Sequence, residues 1–204
     1  MSRDENPPFG RGETFYNGDT IDANDLGGLH LEGKEWVFND EDPTTDTTRS
    51  NKYVTCRVVR NTSGIALLPK RIAAFEVDAT NPDEWGRRVA GYTTVTDEEG
   101  YPIDEYLPAA GVPDNDLFYV VVRGPAVVLT ALTDFNPAIG GGDWLAAITA
   151  ATSQATTAGR VTNHDISGAT SVLANAIMNR IGRALSAATT ANTNTDLLIE
   201  VGHW

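Results

Sequence analysis

One run of β-branched and aromatic residues constrains the fold of this 204-residue chain more than any other feature. Residues 117–123 read Leu-Phe-Tyr-Val-Val-Val-Arg, which is typical of a strand that is buried on both faces. Gly124 and Pro125 follow and predict a kink, because proline lacks the N–H donor that a central strand needs. Residues 126–132 are again β-branched, and we expect them to return as a partner strand. This pair predicts a mainly β fold.

Shorter stretches of similar composition predict further strands, separated by Gly, Asn, Pro and Ser. They lie at 34–38, 53–59, 65–68, 71–77, 88–95 and 197–201. Together with the run at 117–132 they predict a compact domain that resembles a β-barrel or β-sandwich, with one or two short helices.

Two alanine-rich segments fit either a helix or strands. Residues 143–157 fit a helix with Asp143 as its N-cap, but the many threonines also fit two strands. Residues 171–188 have apolar side chains at spacings of one, three and four, which indicates an amphipathic helix. Gly182 lies inside that segment and costs a helix about 1 kcal/mol relative to alanine.

The first quarter of the chain differs in composition from the rest. Residues 1–52 hold 12 acidic and 5 basic residues, and most of the segment shows neither a helical nor a strand period. Such composition is typical of disorder, but disordered tails rarely contain so many aromatic residues. We therefore predict two parts, an extended acidic N-terminal arm at 1–52 and a β-rich domain at 53–204.

Aromatic side chains on the arm are the candidate partner-binding residues, because aromatic anchors dominate the energies of many protein interfaces. The alternative is that they pack back on their own domain. These candidates are Phe9, Phe15, Tyr16, Trp36 and Phe38.

Net charge and apolar content exclude several classes of partner. The chain has 15 Lys and Arg against 28 Asp and Glu, a net charge of −13 that argues against nucleic acid. No segment approaches the ~20 apolar residues that cross a bilayer, and the N-terminus lacks the apolar core of a secretory signal. We expect a protein made in the cytoplasm without a membrane partner. Cys56, the single cysteine, is expected to be a small buried residue in a strand.

Residue types used in metal and phosphate sites occur, but their spacing is wrong. None of His30, His164 and His203 has a second histidine at i+3 or i+4, so no zinc site is expected. The acidic residues 40–42 and 46 lack the alternation of a calcium loop and are expected to form a solvated loop. The glycine-rich run 139–143 lacks the lysine of a phosphate-binding loop and is expected to be a turn.

Catalytic patterns are missing in the same way. His164, Asp165 and Ser167 are triad residue types, but the Gly-x-Ser-x-Gly pattern around an activated serine does not occur. We therefore expect no catalytic residue and no cofactor, and a function other than catalysis.

Four short motifs in the second half of the chain resemble those of tailed-phage capsid decoration proteins, also called cement proteins. They are the run 114–128, the Gly-Gly-Asp-x-Leu sequence at 141–145, the Gly-Arg-Val sequence at 159–161, and the Ile-Gly-Arg-Ala-Leu sequence that begins at 181. The resemblance is to the β-rich class on the exterior of the head and covers residues 105–204. It implies a homotrimer that contacts the major capsid protein. It also implies strand structure at 143–157, which we adopt, and at 181–188, which we leave open.

The sequence thus predicts a non-enzymatic decoration protein on the exterior of a virion, where it stabilises contacts between major capsid protein subunits. The alternative is a carbohydrate- or receptor-binding module on a virion or cell surface. That module would use exposed Trp36, Trp85 or Trp204 as a stacking platform.

Overall fold

The computed structural model describes eight ranges of the chain, and they contain strands and turns. The ranges are 7–15, 31–76, 86–93, 100–130, 139–147, 159–163, 180–188 and 195–202. The predicted mainly β fold is confirmed. The one or two short helices that we expected do not occur in these ranges, and neither does any helix long and apolar enough to cross a membrane.

Ten strands are present in the described ranges. They are β1 (Glu35–Asp42), β2 (Thr47–Asn61), β3 (Ile72–Phe75), β4 (Arg88–Tyr92), β5 (Gly100–Pro102), β6 (Leu117–Leu129), β7 (Trp144–Ala147), β8 (Val161–Asn163), β9 (Arg180–Ala184) and β10 (Asp196–Val201).

All ten strands belong to one curled sheet that forms a half-barrel. The order across the sheet is β5-β3-β4-β2-β6-β10-β9-β7-β8, and β1 pairs with β2 off this path. Strands β2 and β4 are parallel, whereas β2 and β6 are antiparallel. The long strands β2 and β6 therefore form the centre of the molecule.

Strand β6 runs through Gly124 and Pro125 to Leu129, so the separate return strand predicted at 126–132 is wrong. The register with β2 shifts just before Gly124, at the place where the sequence predicted a kink. The first half of β6 pairs with β2, and the second half pairs with β10. Gly124 has a φ of 97°, and a Cβ at this position would collide with the carbonyl oxygen of Tyr53. Glycine therefore allows β6 to pass close to β2 at the point where its pairing with β2 ends and its pairing with β10 begins. Pro125 lies opposite Glu200 of β10.

Side chains of β6 alternate between two hydrophobic clusters, which confirms that this strand is buried on both faces. Leu117, Tyr119 and Val121 lie in the first cluster, whereas Phe118 and Val120 lie in the second. The first cluster includes apolar residues of β9 and β10, and the second includes residues of β3 and β4. Because β2 and β6 contribute to both clusters, they hold the two halves of the core together.

The choice between helix and strand that the sequence left open at 181–188 is decided in favour of a strand, and the helical spacing at 171–188 is not followed in the residues that the structure describes. Residues 180–184 form β9, which pairs with β7 and β10, and residues 171–179 lie outside the described ranges. A Cβ at Gly182 would collide with the carbonyl oxygen of Glu200, so glycine here allows close approach of two strands. The strand expected within 143–157 is confirmed at 144–147, and 148–157 lie outside the description.

The glycine-rich run before β7 forms the turn that its sequence predicted. The N–H of Gly140 donates to Oδ2 of Asp143 at 2.8 Å, and the N–H of Asp143 donates to the carbonyl of Gly140 at 3.2 Å. Asp143 therefore closes a turn before a strand, where a helix N-cap was the alternative.

The N-terminal part of the chain contributes a hairpin to the sheet. The strand predicted at 34–38 is confirmed and extends to Asp42, and a turn at 43–46 leads into β2. Strand β2 passes through the predicted boundary between residues 52 and 53. The division of the chain into an arm and a domain stays a prediction.

Candidate contact surface

Residues 7–15, which we call the strap, lie along the edge of β6 on the side of the first cluster. The ring of Phe9 is 4.5 Å from the ring of Tyr119, centroid to centroid. The hydroxyl of Tyr119 donates to the carbonyl of Phe9 at 3.1 Å. Phe15 and Leu117 exchange two backbone hydrogen bonds of 2.9 and 3.0 Å. The strap is thus bound to the sheet at both of its ends.

A buried ion pair holds the middle of the strap. Nε and Nη2 of Arg11 donate to the two carboxylate oxygens of Asp104, each at 3.0 Å, and both side chains are buried. Burial acts to lower the pKa of Arg11, but the charge and hydrogen bonds of Asp104 outweigh it and raise that pKa. The guanidinium also lies over the ring of Tyr106 at 4.8 Å.

A second charged network joins β1, β2 and the segment after β5. Nη2 of Arg49 donates to Oδ1 of Asp40 at 2.6 Å, and the hydroxyl of Ser50 donates to Oδ2 of Asp40 at 2.6 Å. Arg49 also donates to Glu105, which accepts the N–H of Val127. Burial raises the pKa of Glu105, and the charge of Arg49 opposes that rise.

This network corrects the solvated loop that we predicted at residues 40–46. Asp40 is fully buried within β1, because Arg49 and Ser50 satisfy its carboxylate. Only the turn that follows is solvated, and Asp42 stabilises it by accepting the N–H of Thr44 at 2.8 Å. In the described ranges no group of three or more His, Cys, Asp or Glu side chains is arranged to hold a metal ion.

Three of the five predicted aromatic anchors meet around one tyrosine of the protein's own sheet. The rings of Phe9, Phe38 and Trp36 lie 4.5, 5.3 and 6.4 Å from the ring of Tyr119. Phe15 is 43% exposed, and Tyr16 lies outside the described residues. The packing of Phe9, Trp36 and Phe38 is the alternative that the sequence left open. A partner-binding role for these residues stays a prediction.

The opposite face of the β1–β2 hairpin exposes apolar side chains. Val37 lies opposite Thr55, and Asn39 lies opposite Tyr53, so the four side chains share one face of the hairpin. Val37 is 63% exposed and Tyr53 is 68% exposed. We call these four residues the hairpin face. Sequence reasoning missed it, although the alternation of Trp36, Val37 and Phe38 was a signal that Val37 faces away from the core.

The backbone of β1 offers an edge beside the hairpin face. The N–H of Val58 donates to the carbonyl of Lys34 at 2.9 Å. In an antiparallel pair every second residue directs its backbone groups to the partner strand, so the N–H and C=O groups of Trp36 and Phe38 also point towards β2. The backbone groups of Glu35, Val37 and Asn39 consequently point away from β2. Among the described strands, none pairs with this side of β1.

The residues considered for catalysis and for sugar stacking are placed only in part. His30, His164, Asp165, Ser167 and His203 lie outside the described ranges, as do Trp85 and Trp204. Trp36 packs against the first cluster, edge to face with Tyr119, so it is not an open stacking platform. Cys56 is fully buried in β2, as predicted, and burial raises the pKa of its thiol.

Comparison with known proteins finds a distant structural likeness. No family model matches the sequence, and no curated protein matches it. Among solved structures, the chain is similar to the N base of the head fiber gp8.5 of bacteriophage phi29, with a TM-score of 0.41 and 14% identity. The match covers 73% of this chain and 94% of that one. A likeness of this degree assigns no function to the chain.

Proposed function

We propose that this protein is a structural component of a tailed-phage head that decorates the exterior of the capsid and stabilises contacts between major capsid protein subunits. The observation that carries the proposal is the hairpin face, where the side chains of Val37 and Tyr53 are exposed on a sheet whose other side packs in the hydrophobic core. Exposed apolar side chains that lie together, rimmed by polar ones, mark contact surfaces on soluble proteins.

The rigid support of this face fits a role in stabilising a shell. Val54 and Cys56 lie next to Tyr53 and Thr55 in β2, and both are fully buried in the first cluster. Tyr53 is therefore held by a strand whose neighbouring residues belong to the core, and a partner can bind it without first ordering a loop. Preorganised surfaces of this kind lose little conformational entropy on binding.

The sequence resemblance supports the same proposal from a separate part of the chain. The run 114–128 lies almost wholly in the central strand β6, and the motifs at 141–145 and 181–188 overlap parts of β7 and β9. The motifs therefore belong to the sheet, whereas the hairpin face comes from residues before them. A homotrimer on a three-fold axis would repeat the hairpin face three times, and a stable contact needs about 800 Å² from each partner.

Binding to capsids tests this proposal directly. The purified protein is mixed with capsids of its own phage that lack decoration, and bound protein is measured by sedimentation. We expect saturable binding at a fixed ratio to the major capsid protein. Val37→Asp should weaken it by about tenfold or more, because a charge would be buried in the contact.

Ile65→Asp is the matched control, since Ile65 is 53% exposed in the turn at the other end of β2. It should bind as the unsubstituted protein does. Absence of saturable binding to these capsids would overturn the proposed function. Equal binding by the Val37 and Ile65 variants would show that the hairpin face is not the contact.

A further inference from the structure

The side of β1 that faces away from β2, where none of the described strands pairs, carries backbone donors and acceptors next to an exposed apolar side chain. Glu35, Val37 and Asn39 each direct one N–H and one C=O away from β2, and their side chains all lie on the hairpin face. An exposed strand edge of this kind is a template for the addition of another strand. Val37 lies at the middle of the edge and offers an apolar contact to an incoming side chain.

We infer that this edge binds an extended, basic segment of a partner protein, which joins the sheet as a further strand beside β1. The inference rests on the proposed function, in that the segment would belong to the shell protein. In strand addition the main chain supplies affinity, and alternate side chains supply specificity. The segment would place an apolar side chain beside Val37 and basic side chains on either side of it.

The negative charge around the edge of β1 favours a basic segment over a neutral or acidic one. Residues 35–46 hold five acidic residues and no basic one, and four of the five remain available to a partner, because Asp40 is buried against Arg49. Glu35 is paired with Arg57, but its side chain is still 43% exposed, and Glu41 lies further along β1, beyond a register shift after Asn39. Lysine or arginine on the incoming strand would face these carboxylates and form opposite-charge cross-strand pairs.

The same charge argues against a second copy of this chain as the occupant. If two β1 strands paired in parallel, Glu35 would face Glu35 and Glu41 would face Glu41. If they paired antiparallel around Val37, Glu35 of each copy would face Asn39 of the other, so the pairing would gain no opposite-charge contact. Like charges directly opposite each other destabilise a sheet. Charged residues on an edge are also a common protection against self-association.

A designed peptide tests the inference without any shell protein. The probe is a nine-residue peptide in which every second residue reads lysine, lysine, valine, lysine, lysine, with threonine at the positions between, so that one face carries both side-chain types. Its binding to the full-length chain is measured by calorimetry. Its matched control has the same side chains, but carries N-methyl groups on the N–H groups that would face β1. We expect the N-methyl peptide to bind at least about tenfold more weakly, because it keeps the charge and loses the ladder donors.

Amide hydrogen exchange locates the peptide on the chain. With the unmethylated peptide bound, exchange at Glu35, Val37 and Asn39 should slow by at least about tenfold, as expected for amides that enter a ladder. Exchange at Asn51, an exposed residue of β2, should not change. Unchanged exchange at the three β1 amides, or equal affinity for the two peptides, would overturn the inference.

Substitutions at Val37 connect the inference to capsids. Val37→Pro removes an outward N–H at an edge position, where proline is tolerated, and Val37→Thr keeps that N–H. We expect the proline variant alone to lose the peptide and to bind capsids about tenfold more weakly. If both variants bind capsids equally, the added strand is wrong and the decoration role stands. If the peptide protects β1 but no capsid binds, the strand site stands and the decoration role is wrong.

Discussion

The position of the strap depends on the ion pair between Arg11 and Asp104. Both are buried, and a buried ion pair that loses one partner leaves an uncompensated charge. We predict that Asp104→Leu lowers the free energy of unfolding by about 3–5 kcal/mol. The measurement is urea denaturation of the purified protein.

The double variant Arg11→Met with Asp104→Leu is the control for this prediction. Replacement of a whole buried pair by apolar residues of similar volume is often neutral, so the double variant should recover most of the lost stability. If the double variant is as unstable as the single one, the loss comes from the packing of the segment around Tyr106, with little contribution from the unpaired charge of Arg11.

Glu105 gives the protein a pH dependence of a defined sign. Because burial raises the pKa of its carboxyl group above the ordinary 4.5, the folded protein holds this proton at pH values where the unfolded chain has lost it. Its contribution to stability is therefore fully present below pH 4.5 and decreases as the pH rises through the raised value. Glu105→Gln cannot titrate. We predict that the stability of the unsubstituted protein relative to this variant falls between pH 4.5 and neutrality, as measured by denaturation at several pH values.

The opposite trend would contradict this assignment. If the unsubstituted protein gains stability over Glu105→Gln as the pH rises, the attraction of Arg49 outweighs burial. The ion pair between Arg49 and Glu105 would then dominate the network around Asp40.

At the scale of the elements, Gly124 determines whether β6 is one strand. Its φ of 97° is strained for any other residue, and a Cβ would meet the backbone of Tyr53. We predict that Gly124→Ala lowers the free energy of unfolding by about 2 kcal/mol or more. Gly141→Ala is the control, because a Cβ at Gly141 meets no atom within 4 Å, and its effect should stay within about 0.5 kcal/mol. Equal stability of the two variants would show that β6 bends elsewhere.

Amino-acid composition was sufficient to predict the strands that are buried in the core. The run at 117–122 is apolar throughout because β6 has a hydrophobic cluster on each face, and 197–201 is apolar except for Glu200 because β10 packs beside β6. The partners of β6 could not be predicted, since pairing with β2 and β10 joins residues far apart in the sequence. The apolar spacing around Gly182 fitted a helix, but close contact with the backbone of Glu200 requires an extended strand.

The candidate site was predicted only through its buried side. Aromatic composition identified Trp36 and Phe38, which the structure places against Tyr119. Val37 and Tyr53 were not predicted as contact residues, because a single exposed valine or tyrosine is common. Such a residue becomes informative only when the strand register brings two of them together. Asp40 was assigned to solvent for a similar reason, since its partner Arg49 lies across a hairpin whose register the sequence did not specify.

At the scale of the whole molecule, the two hydrophobic clusters share their central strands. In β6, Tyr119 belongs to the first cluster, and its neighbours Phe118 and Val120 belong to the second. Loss of either cluster would expose one face of the same strand, so we expect the two halves of the core to unfold together. In the proposed decoration role, this coupling would let a contact on the hairpin face stabilise the entire domain.

We predict that this coupling makes unfolding a single transition even when one cluster is damaged. Phe75→Ala opens a cavity in the second cluster and Leu197→Ala opens one in the first, and both side chains are almost fully buried. Each should cost about 2–5 kcal/mol. For both variants, urea transitions followed by far-ultraviolet circular dichroism and by tryptophan fluorescence should coincide, as two-state unfolding requires. Separate transitions in the Phe75 variant would show that the clusters are independent and that β6 does not couple them.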